Sequence, residues 1–354
     1  MEATADPPPS YVHPRGRLSQ RNSRRLSSTG VNPLEAIGLP RLQDGLQQLE
    51  PLLTASVVTG DSFLDDVTTH LIAAGGKRLR PLLALASATG GAREATHEDL
   101  LGGVAVELVH LASLYHDDVL DEATIRRNVE SVNSRFGNLV AIVAGDYLLA
   151  RSAAIAASLG TEIAGLLADT LGKLCQGQVA EVRSAFQTTR SRDDYATAIA
   201  GKTAALTATS CRIGAITGGL PRTEVEACTE YGHCFGMVFQ IRDDILDVTA
   251  TEGELLKPAG QDLAEGIYTF PALVALDDPA SGPDLRALLG KPLGQPEREK
   301  ARAIVASSPG IVAAVDEARL YVERAQSATA GIAIAELRQG LSRLVAELLS
   351  DLPG

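Results

Sequence analysis

Two clusters of aspartates interrupt apolar segments of this sequence. Each cluster has the spacing DDxxD, so on a helix its first and last carboxylates lie four residues apart on one face. The first aspartate cluster is Asp117, Asp118 and Asp121, and the second aspartate cluster is Asp243, Asp244 and Asp247. Crowded carboxylates repel one another unless a cation offsets their charge. Mg²⁺ meets this need by binding one or two carboxylates and substrate phosphates, so the two clusters predict magnesium chemistry on a phosphorylated compound.

A single cluster of this kind is also typical of a solvated helix end. Two clusters are harder to explain in that way, because both lie inside otherwise apolar segments. The basic residues are ambiguous when taken alone. Lys77, Arg78 and Arg80 fit an ordinary basic surface turn, and Lys202 with Thr203 fits an exposed helix position.

The elements that must position these residues are predicted to be helices. From Pro33 onward, apolar residues recur at spacings of three and four, the pattern of amphipathic helices. No alternating strand pattern of useful length occurs, so we predict an all-α fold, a single large helical bundle over residues 34–354. The predicted helices are 34–57, 62–74, 79–89, 98–121, 137–158, 161–186, 193–215, 222–249, 268–277, 296–306, 310–328 and 332–350.

Composition agrees with a helical core and excludes several classes of function. Of the 354 residues, 45% are hydrophobic but only 4% are aromatic, so the core must be built from Ala, Leu, Val and Ile, which suits closely packed helices. The formal net charge of -12 disfavours nucleic acid as a partner. Anionic diphosphates can still bind where metal ions reverse the local sign.

Location is predicted from the cysteines, the apolar runs and the N-terminal segment. The four cysteines form no CxxC pair, as expected for thiols in a reducing cytoplasm. No uninterrupted apolar run reaches the length of about 18 residues that a spanning helix needs. Residues 1–33 are polar and basic, so we expect a disordered tail. Contact of its arginines with a membrane surface is the alternative.

At the aspartate clusters the sequence resembles the trans-isoprenyl diphosphate synthase (polyprenyl synthetase) family, whose two motifs read DDxxD. The resemblance covers about residues 70 to 275 in the family's order and points to a bacterial medium- or long-chain synthase. It implies the isoprenoid synthase type of helical bundle around a central cavity. The further matching segments are GGKRLRP (75–81), Arg126-Arg127, GDYLLA (145–150), Gly177-Gln178, Lys202-Thr203-Ala204 and FGMVFQ (235–240).

The family reaction ionises an allylic diphosphate, and the resulting carbocation is attacked by the double bond of isopentenyl diphosphate. By resemblance three Mg²⁺ ions assist this ionisation. Asp117 and Asp121 would bind two of them with Asp118 in support, and Asp243 with Asp244 would bind the third. No side chain need act as a base, because the departed diphosphate can accept the proton.

The resemblance also assigns contacts to both diphosphates. Isopentenyl diphosphate has no metal of its own, so cationic side chains must hold it. Its implied contacts are Lys77, Arg80, His110 and Arg127. The implied contacts of the allylic diphosphate are Arg126, Lys202, Thr203 and Gln240, with Lys202 counted among the catalytic residues. A homodimer is expected from the resemblance alone.

Two positions depart from the family pattern. Ile267, in the segment EGIYTFP (265–271), stands where a lysine is usual, so one contact to the allylic diphosphate is missing or supplied otherwise. Asn128 replaces a common glycine after the arginine pair. Lys257 and Asp262 match the usual positions beyond the second aspartate cluster.

Product length is predicted from small residues one helical turn before Asp117. A turn rises about 5.4 Å, close to the span of one isoprene unit, and short-chain relatives carry bulky side chains near this level. Ala112 and Ser113 are small here, and the next long helix offers further small residues at Ala150, Ala153 and Ala154. We therefore expect a deep tunnel and a product of about C30 to C50. Close helix packing without a tunnel is the alternative explanation.

Four other functions compete with this interpretation. A short-chain synthase would stop at C15 or C20. A class I terpene cyclase needs no second diphosphate site, and a non-catalytic subunit of a heteromeric synthase would be expected to lose aspartates. A phosphohydrolase would use His116 and Asp117 as a metal pair. The remaining histidines at 70, 97 and 233 show no ligand spacing for it.

Overall fold

Helices form almost all the regular structure in the part of the chain that the computed structural model describes, residues 32–250 and 259–352. The all-α prediction is confirmed. Residues 1–31 of the predicted tail, and Lys257, lie outside the described residues.

The helices follow one another with short connections. The first nine are α1 Pro33–Ile37, α2 Leu42–Ala55, α3 Ser62–Ala73, α4 Leu79–Thr89, α5 His97–Leu120, α6 Val132–Phe136, α7 Asn138–Ser158, α8 Thr161–Ser184 and α9 Arg192–Ile199. A π-helical turn over Ala200–Ala204 joins α9 to α10. The others are α10 Ala205–Thr217, α11 Arg222–Thr249, α12 Gln261–Ala264, α13 Phe270–Asp277, α14 Gly282–Leu288, α15 Gln295–Ser307, α16 Gly310–Thr329 and α17 Ala335–Glu347.

Helix α5 runs through the centre of the bundle. Thr96 and Asp99 form a capping box that satisfies backbone N–H groups at its start. In the three turns that follow this cap, most residues of α5 are buried against α2, α4, α7 and α10. Close packing depends on small residues: a Cβ on Gly214 of α10 would lie 1.9 Å from the carbonyl oxygen of Ala84 on α4. The alanine- and glycine-rich composition thus brings neighbouring helices together around the end of α5.

Two predicted helices are interrupted. The helix predicted over 34–57 is wrong as one element, because Gly38 adopts a left-handed φ of 59° and Pro40 follows it, which separates α1 from α2. The helix predicted over 193–215 contains the π-helical turn that carries Lys202. Such turns place one extra residue in a helix and are frequent at functional sites.

The structure also contains a small β-hairpin that the sequence analysis did not predict. Strands β1 Ile125–Arg126 and β2 Val129–Glu130 pair antiparallel. The two residues between them, Arg127 and Asn128, have φ values of 52° and 63°. A two-residue hairpin loop favours positive φ at both positions, and asparagine tolerates it better than most residues. The replacement of glycine at position 128 is thereby explained.

Helix α7 is long and apolar enough to cross a membrane when judged by length and composition alone. The sequence criterion of an uninterrupted apolar run did not detect it, since Asp146 lies within it. Its inner side packs on α5 and α6, so its contacts are those of a bundle helix.

Candidate active site

The first aspartate cluster lies at the C-terminal end of α5. Asp117 is half-buried, and Asp121 is an exposed residue that ends the helix. Burial raises the pKa of Asp117, and Asp121 raises it further, while Lys202 opposes the shift. The pKa of Asp121 is raised by burial and by Glu265, again against Lys202. These carboxylates therefore crowd one another, as the DDxxD spacing predicts.

Asp118 differs from its two neighbours. Its side chain is fully buried, and Oδ1 accepts a hydrogen bond from Arg126 Nε at 2.7 Å and forms an ion pair with Nη2 of the same arginine at 2.5 Å. The backbone carbonyl of Asp118 accepts from Asn133 at 2.9 Å. Burial raises the pKa of Asp118, and Arg126 opposes that shift. Asp118 thus fixes the hairpin arginine beside the site, while Asp117 and Asp121 line up along the other face of the helix.

Asp244 of the second aspartate cluster is the centre of a buried polar chain. It accepts from the Tyr195 hydroxyl at 2.5 Å and from Gln240 Nε2 at 2.9 Å. Gln240 Oε1 in turn accepts from the Thr203 hydroxyl at 2.8 Å. Burial raises the pKa of Asp244 well above its ordinary value, with a further contribution from Asp262. The chain connects the π-helical turn to the second aspartate cluster.

Asp243 is more exposed than Asp244. Its carboxylate lies 3.7 Å from Nη1 of Arg242. Lys77, from the basic loop before α4, lies in the same region: burial lowers the pKa of its amine, and the charge of Asp243 opposes that shift. The structure thus brings the basic loop close to the second aspartate cluster.

Lys202 projects from the π-helical turn towards the first aspartate cluster. Its Nζ lies 2.5 Å from Oε1 of Glu181 on α8. Burial acts to lower the pKa of Lys202, but Glu181, Asp117 and Asp121 together raise it above its ordinary value. The turn approaches α8 closely, since a Cβ on Gly201 would lie 2.8 Å from the Lys173 carbonyl oxygen.

A second, strongly cationic region surrounds His110. Burial lowers the pKa of His110 well below its ordinary value, and Arg80, Arg127 and Arg126 lower it further. Arg127 donates to the carbonyls of Leu71, at 3.1 Å, and of Gly75. These residues therefore form a cluster of positive charge next to a neutral imidazole.

Arg78 and Arg80, which lie at the start of α4, have different roles. Arg78 is buried between Glu50, at 2.6 Å, and Glu107, at 2.9 Å, so it holds the fold together. Burial lowers the pKa of Arg80 to about 10, and its Nε is buried without a hydrogen-bond partner in the described residues. A partly buried cation with an unused donor is suited to a bound anion.

A cavity of about 600 Å³ joins the two aspartate clusters. Negative side chains outnumber positive ones in its lining. The acidic residues are Asp121, Glu122, Glu181, Asp244, Asp262 and Glu265, and the basic residues are Arg126, Arg190 and Lys202. Such a cavity would repel a diphosphate unless divalent cations entered with it.

The donor set of this cavity fits Mg²⁺. No three acidic, histidine or cysteine side chains of residues 32–250 and 259–352 form a ready-made metal cluster. Mg²⁺ needs none, because it binds through one or two carboxylates and completes its shell with phosphate oxygens and water. The phosphohydrolase alternative gains no support: His116 lies near Asp146, at 3.5 Å, instead of joining a metal cluster among the described side chains.

Comparison with known proteins decides the family. A family model described as polyprenyl synthetase matches residues 61–306. Nonaprenyl diphosphate synthase from Mycobacterium tuberculosis is 37% identical over 320 residues, which cover 89% of this chain and 95% of that protein. The chain belongs to the polyprenyl synthetase family.

Solved structures of similar proteins have the same fold. Decaprenyl diphosphate synthase from Rhodobacter capsulatus matches with a TM-score of 0.82 at 30% identity, covering 91% of this chain and 99% of that one. Geranylgeranyl pyrophosphate synthase from Corynebacterium glutamicum matches with a TM-score of 0.79 at 34% identity, covering 92% and 99%. This member of the polyprenyl synthetase family is thus a prenyltransferase with the all-α isoprenoid synthase fold, and the family is Mg²⁺-dependent.

The polyprenyl synthetase bundle also contains site residues that the sequence analysis missed. Glu181 pairs with Lys202, Tyr195 donates to Asp244, and Arg190 lines the cavity. Glu181 lies one helical turn after Gly177-Gln178, a segment already singled out, so it could have been found from that motif. Tyr195 and Arg190 could not be predicted as site residues from the sequence, because neither belongs to a motif.

The residues predicted to set product length occupy different environments. Ala112 is fully buried in the core, and Ser113 is half-buried, with its hydroxyl donating to the carbonyl of His110 at 2.9 Å. The prediction for Ala150, Ala153 and Ala154 is wrong. All three are exposed on the outer face of α7, so they do not line a tunnel inside this chain.

Proposed function

We propose that this prenyltransferase condenses isopentenyl diphosphate with an allylic diphosphate to give a linear all-trans polyprenyl diphosphate. The observation that carries the proposal is the presence of two aspartate clusters at one acidic cavity, together with a separate arginine–histidine region. A terpene cyclase has no use for the second region. A heteromeric partner without catalysis has no use for two intact aspartate clusters.

The proposed mechanism divides the two diphosphates between these regions. Three Mg²⁺ ions, two held by Asp117 and Asp121 and one by Asp243 with Asp244, would neutralise the charge of the departing diphosphate. Lys202 and Arg126 hold the allylic diphosphate by charge. Thr203 and Gln240 add polar contacts and keep Asp244 in place.

Isopentenyl diphosphate is assigned to Lys77, Arg80, His110 and Arg127. Arginine presents a planar fork of donors to phosphate oxygens, and lysine adds a mobile point charge. The neutral imidazole of His110 can donate one hydrogen bond without adding to the repulsion among the arginines. The proton released after condensation goes to the departed diphosphate, which remains beside Lys202.

We propose a product of about C30 to C50, since the side chains one helical turn before Asp117 are small and leave room for a long chain. Ala112 and Ser113 support this length, as do the names of the nonaprenyl and decaprenyl synthases to which the chain is similar. The chain is also similar to a geranylgeranyl pyrophosphate synthase, so C20 is the alternative product length.

A homodimer is proposed from the outer surface of α7 and α8. Apolar side chains that would be costly to leave in water are exposed there: Leu139, Ile142 and Val143 on α7, and Val179 and Val182 on α8. A second copy of this chain, placing the same surface against this one, would bury them. Light scattering on the purified chain distinguishes a dimer from a monomer that awaits a different subunit.

The experiment that tests the proposed function uses the purified full chain without any partner. Mg²⁺, labelled isopentenyl diphosphate and a C10, C15 or C20 primer are supplied, and the products are sized after removal of the diphosphate. Elongation to about C30 to C50, lost on chelation of the metal, is the expected result. Absence of elongation with every primer would favour a heteromeric synthase, and release of cyclic hydrocarbon would favour a cyclase.

A further inference from the structure

Arg190 is a buried arginine in the catalytic cavity that the mechanism above does not use. It precedes α9, only 8% of it is exposed, and it lines the same cavity as Lys202 and Asp244. Its Nη1 donates to the carbonyl of Tyr268 at 3.2 Å. Its Nε is buried without a hydrogen-bond partner among the described residues.

Tyr195 fixes the guanidinium of Arg190 beside the second aspartate cluster. The guanidinium carbon lies 5.6 Å from the centroid of the Tyr195 ring, within the range of a cation–π interaction. The hydroxyl of the same ring donates to Asp244 at 2.5 Å. The position of Arg190 is therefore coupled to a carboxylate of the second aspartate cluster.

No carboxylate neutralises Arg190 directly. None of the ion pairs within residues 32–250 and 259–352 includes it, although Glu181 and Asp244 are near enough to act on its charge. A buried cation without a counter-ion is costly. A bound diphosphate would supply the missing negative charge and an acceptor for the unused donor.

Ile267 lines the same cavity as Arg190. It is a half-buried apolar residue at the position where the related segment usually has a lysine. The cavity therefore has an apolar side chain where a cation is usual, and it holds a buried cation, Arg190, that forms no direct ion pair among the described residues.

We propose that Arg190 is a further binding residue for the diphosphate of the allylic substrate and replaces the cation absent at Ile267. The proposal rests on the proposed function, since it assumes that this cavity holds the allylic diphosphate. It predicts that charge at position 190 and charge at position 267 substitute for one another.

The test compares kinetics of Arg190→Met with the wild-type chain. Loss of a hydrogen-bonded charge predicts a rise of about tenfold to a hundredfold in KM for a C15 primer, with KM for isopentenyl diphosphate changed by less than about twofold. Arg192→Met is the matched control, because Arg192 is exposed two residues away and does not line this cavity. It is expected to behave like wild type.

Ile267→Lys separates binding from a structural role. In the Arg190→Met background it should recover most of the loss in KM for the primer. In the wild-type background it should change that KM by less than about threefold, since Arg190 already supplies a cation. An unchanged KM in Arg190→Met, or a loss that Ile267→Lys does not reduce, would overturn the proposal.

Two further measurements test the role of Arg190 without relying on turnover or on the Arg190→Met variant alone. Calorimetry of inorganic pyrophosphate binding with Mg²⁺ does not depend on turnover, so it tests Arg190 even if the chain proves not to elongate primers. Arg190→Met should weaken that binding about tenfold, and equal binding would count against Arg190. If Arg190→Met does not fold, Arg190→Gln takes its place: it keeps a polar side chain but loses the charge, and an unchanged KM for the primer in that variant would also refute the role.

Discussion

Arg242 donates two hydrogen bonds to the carboxylate of Asp351, from Nε at 3.3 Å and from Nη2 at 2.5 Å. The arginine side chain is fully buried, and it immediately precedes Asp243, whose carboxylate lies 3.7 Å from Nη1. One guanidinium thus joins the second aspartate cluster to the segment after α17, 109 residues further along the chain. This ion pair holds that segment beside the second aspartate cluster.

Asp351→Ala is expected to lower the free energy of unfolding by about 1–3 kcal/mol, because it leaves a buried guanidinium without its partner. Chemical denaturation of the purified variant measures the change. Asp316→Ala is the control: Asp316 pairs with Arg319 on the exposed surface of α16, where such pairs contribute only about 0.3–0.5 kcal/mol. Equal losses in both variants would show that the Arg242 pair contributes no more than a surface pair.

Asp117→Ala and Asp243→Ala are each expected to reduce kcat by at least about two orders of magnitude, the scale of losing electrostatic stabilisation in a transition state. Each removes a carboxylate assigned to Mg²⁺. Initial rates in saturating Mg²⁺ and saturating substrates give the measurement, with Asp316→Ala again as a surface control. Near wild-type rates in either active-site variant would refute the ionisation mechanism.

The two diphosphate regions should respond separately to loss of their cations. Arg80→Gln or Lys77→Ala should raise KM for isopentenyl diphosphate by about tenfold or more while leaving KM for the primer nearly unchanged, and Lys202→Ala should do the reverse. Varying one substrate at saturating concentrations of the other gives both constants. Parallel changes in both constants for all the variants would mean that the assignments of the two regions are wrong.

His110 should make folding stability depend on pH. Burial and the arginines at 78, 80, 126 and 127 hold its folded pKa well below 6.5, so below about pH 6.5 the unfolded chain binds a proton that the folded chain does not. The free energy of unfolding therefore keeps its full contribution from neutral His110 above pH 6.5. It falls as the pH drops below that value, by at most about 1.4 kcal/mol per pH unit. His110→Gln should make this slope shallower between pH 5.5 and 7.5, as measured by denaturation at each pH value. An identical slope in the variant would contradict a lowered pKa for His110.

Ser113→Phe should shorten the product by several isoprene units while leaving ionisation of the primer intact. Ser113 is half-buried one turn before Asp117, so a ring can be placed there with less disturbance than at Ala112, which is fully buried. Overpacking a core position costs about 1–3 kcal/mol, so Ala112→Phe needs a parallel stability measurement. Unaltered product length in a folded Ser113→Phe variant would place the end of the tunnel elsewhere.

The sequence alone was sufficient for the class of fold and for the two aspartate clusters. Apolar periodicity marks long helices reliably because each buried stripe repeats every turn, and α5 and α11 lie where that pattern predicts. The breaks were harder to predict. The separation of α1 from α2 depends on one left-handed glycine. The π-helical turn at Lys202 depends on its close approach to α8, which is a contact between segments that are distant in the sequence.

Tertiary packing decided what each polar side chain of a motif does. Asp117 and Asp118 are neighbours in the sequence, yet one lies beside Lys202 and the other is buried against Arg126. Arg78 and Arg80 likewise differ, because Glu50 and Glu107 neutralise only the first directly. Helix geometry fixes which residues share a face, but the partner on that face comes from another part of the chain. The sequence therefore determined the family and its acidic clusters, whereas the structure alone revealed Arg190 and the exposure of Ala150, since both depend on which helices meet.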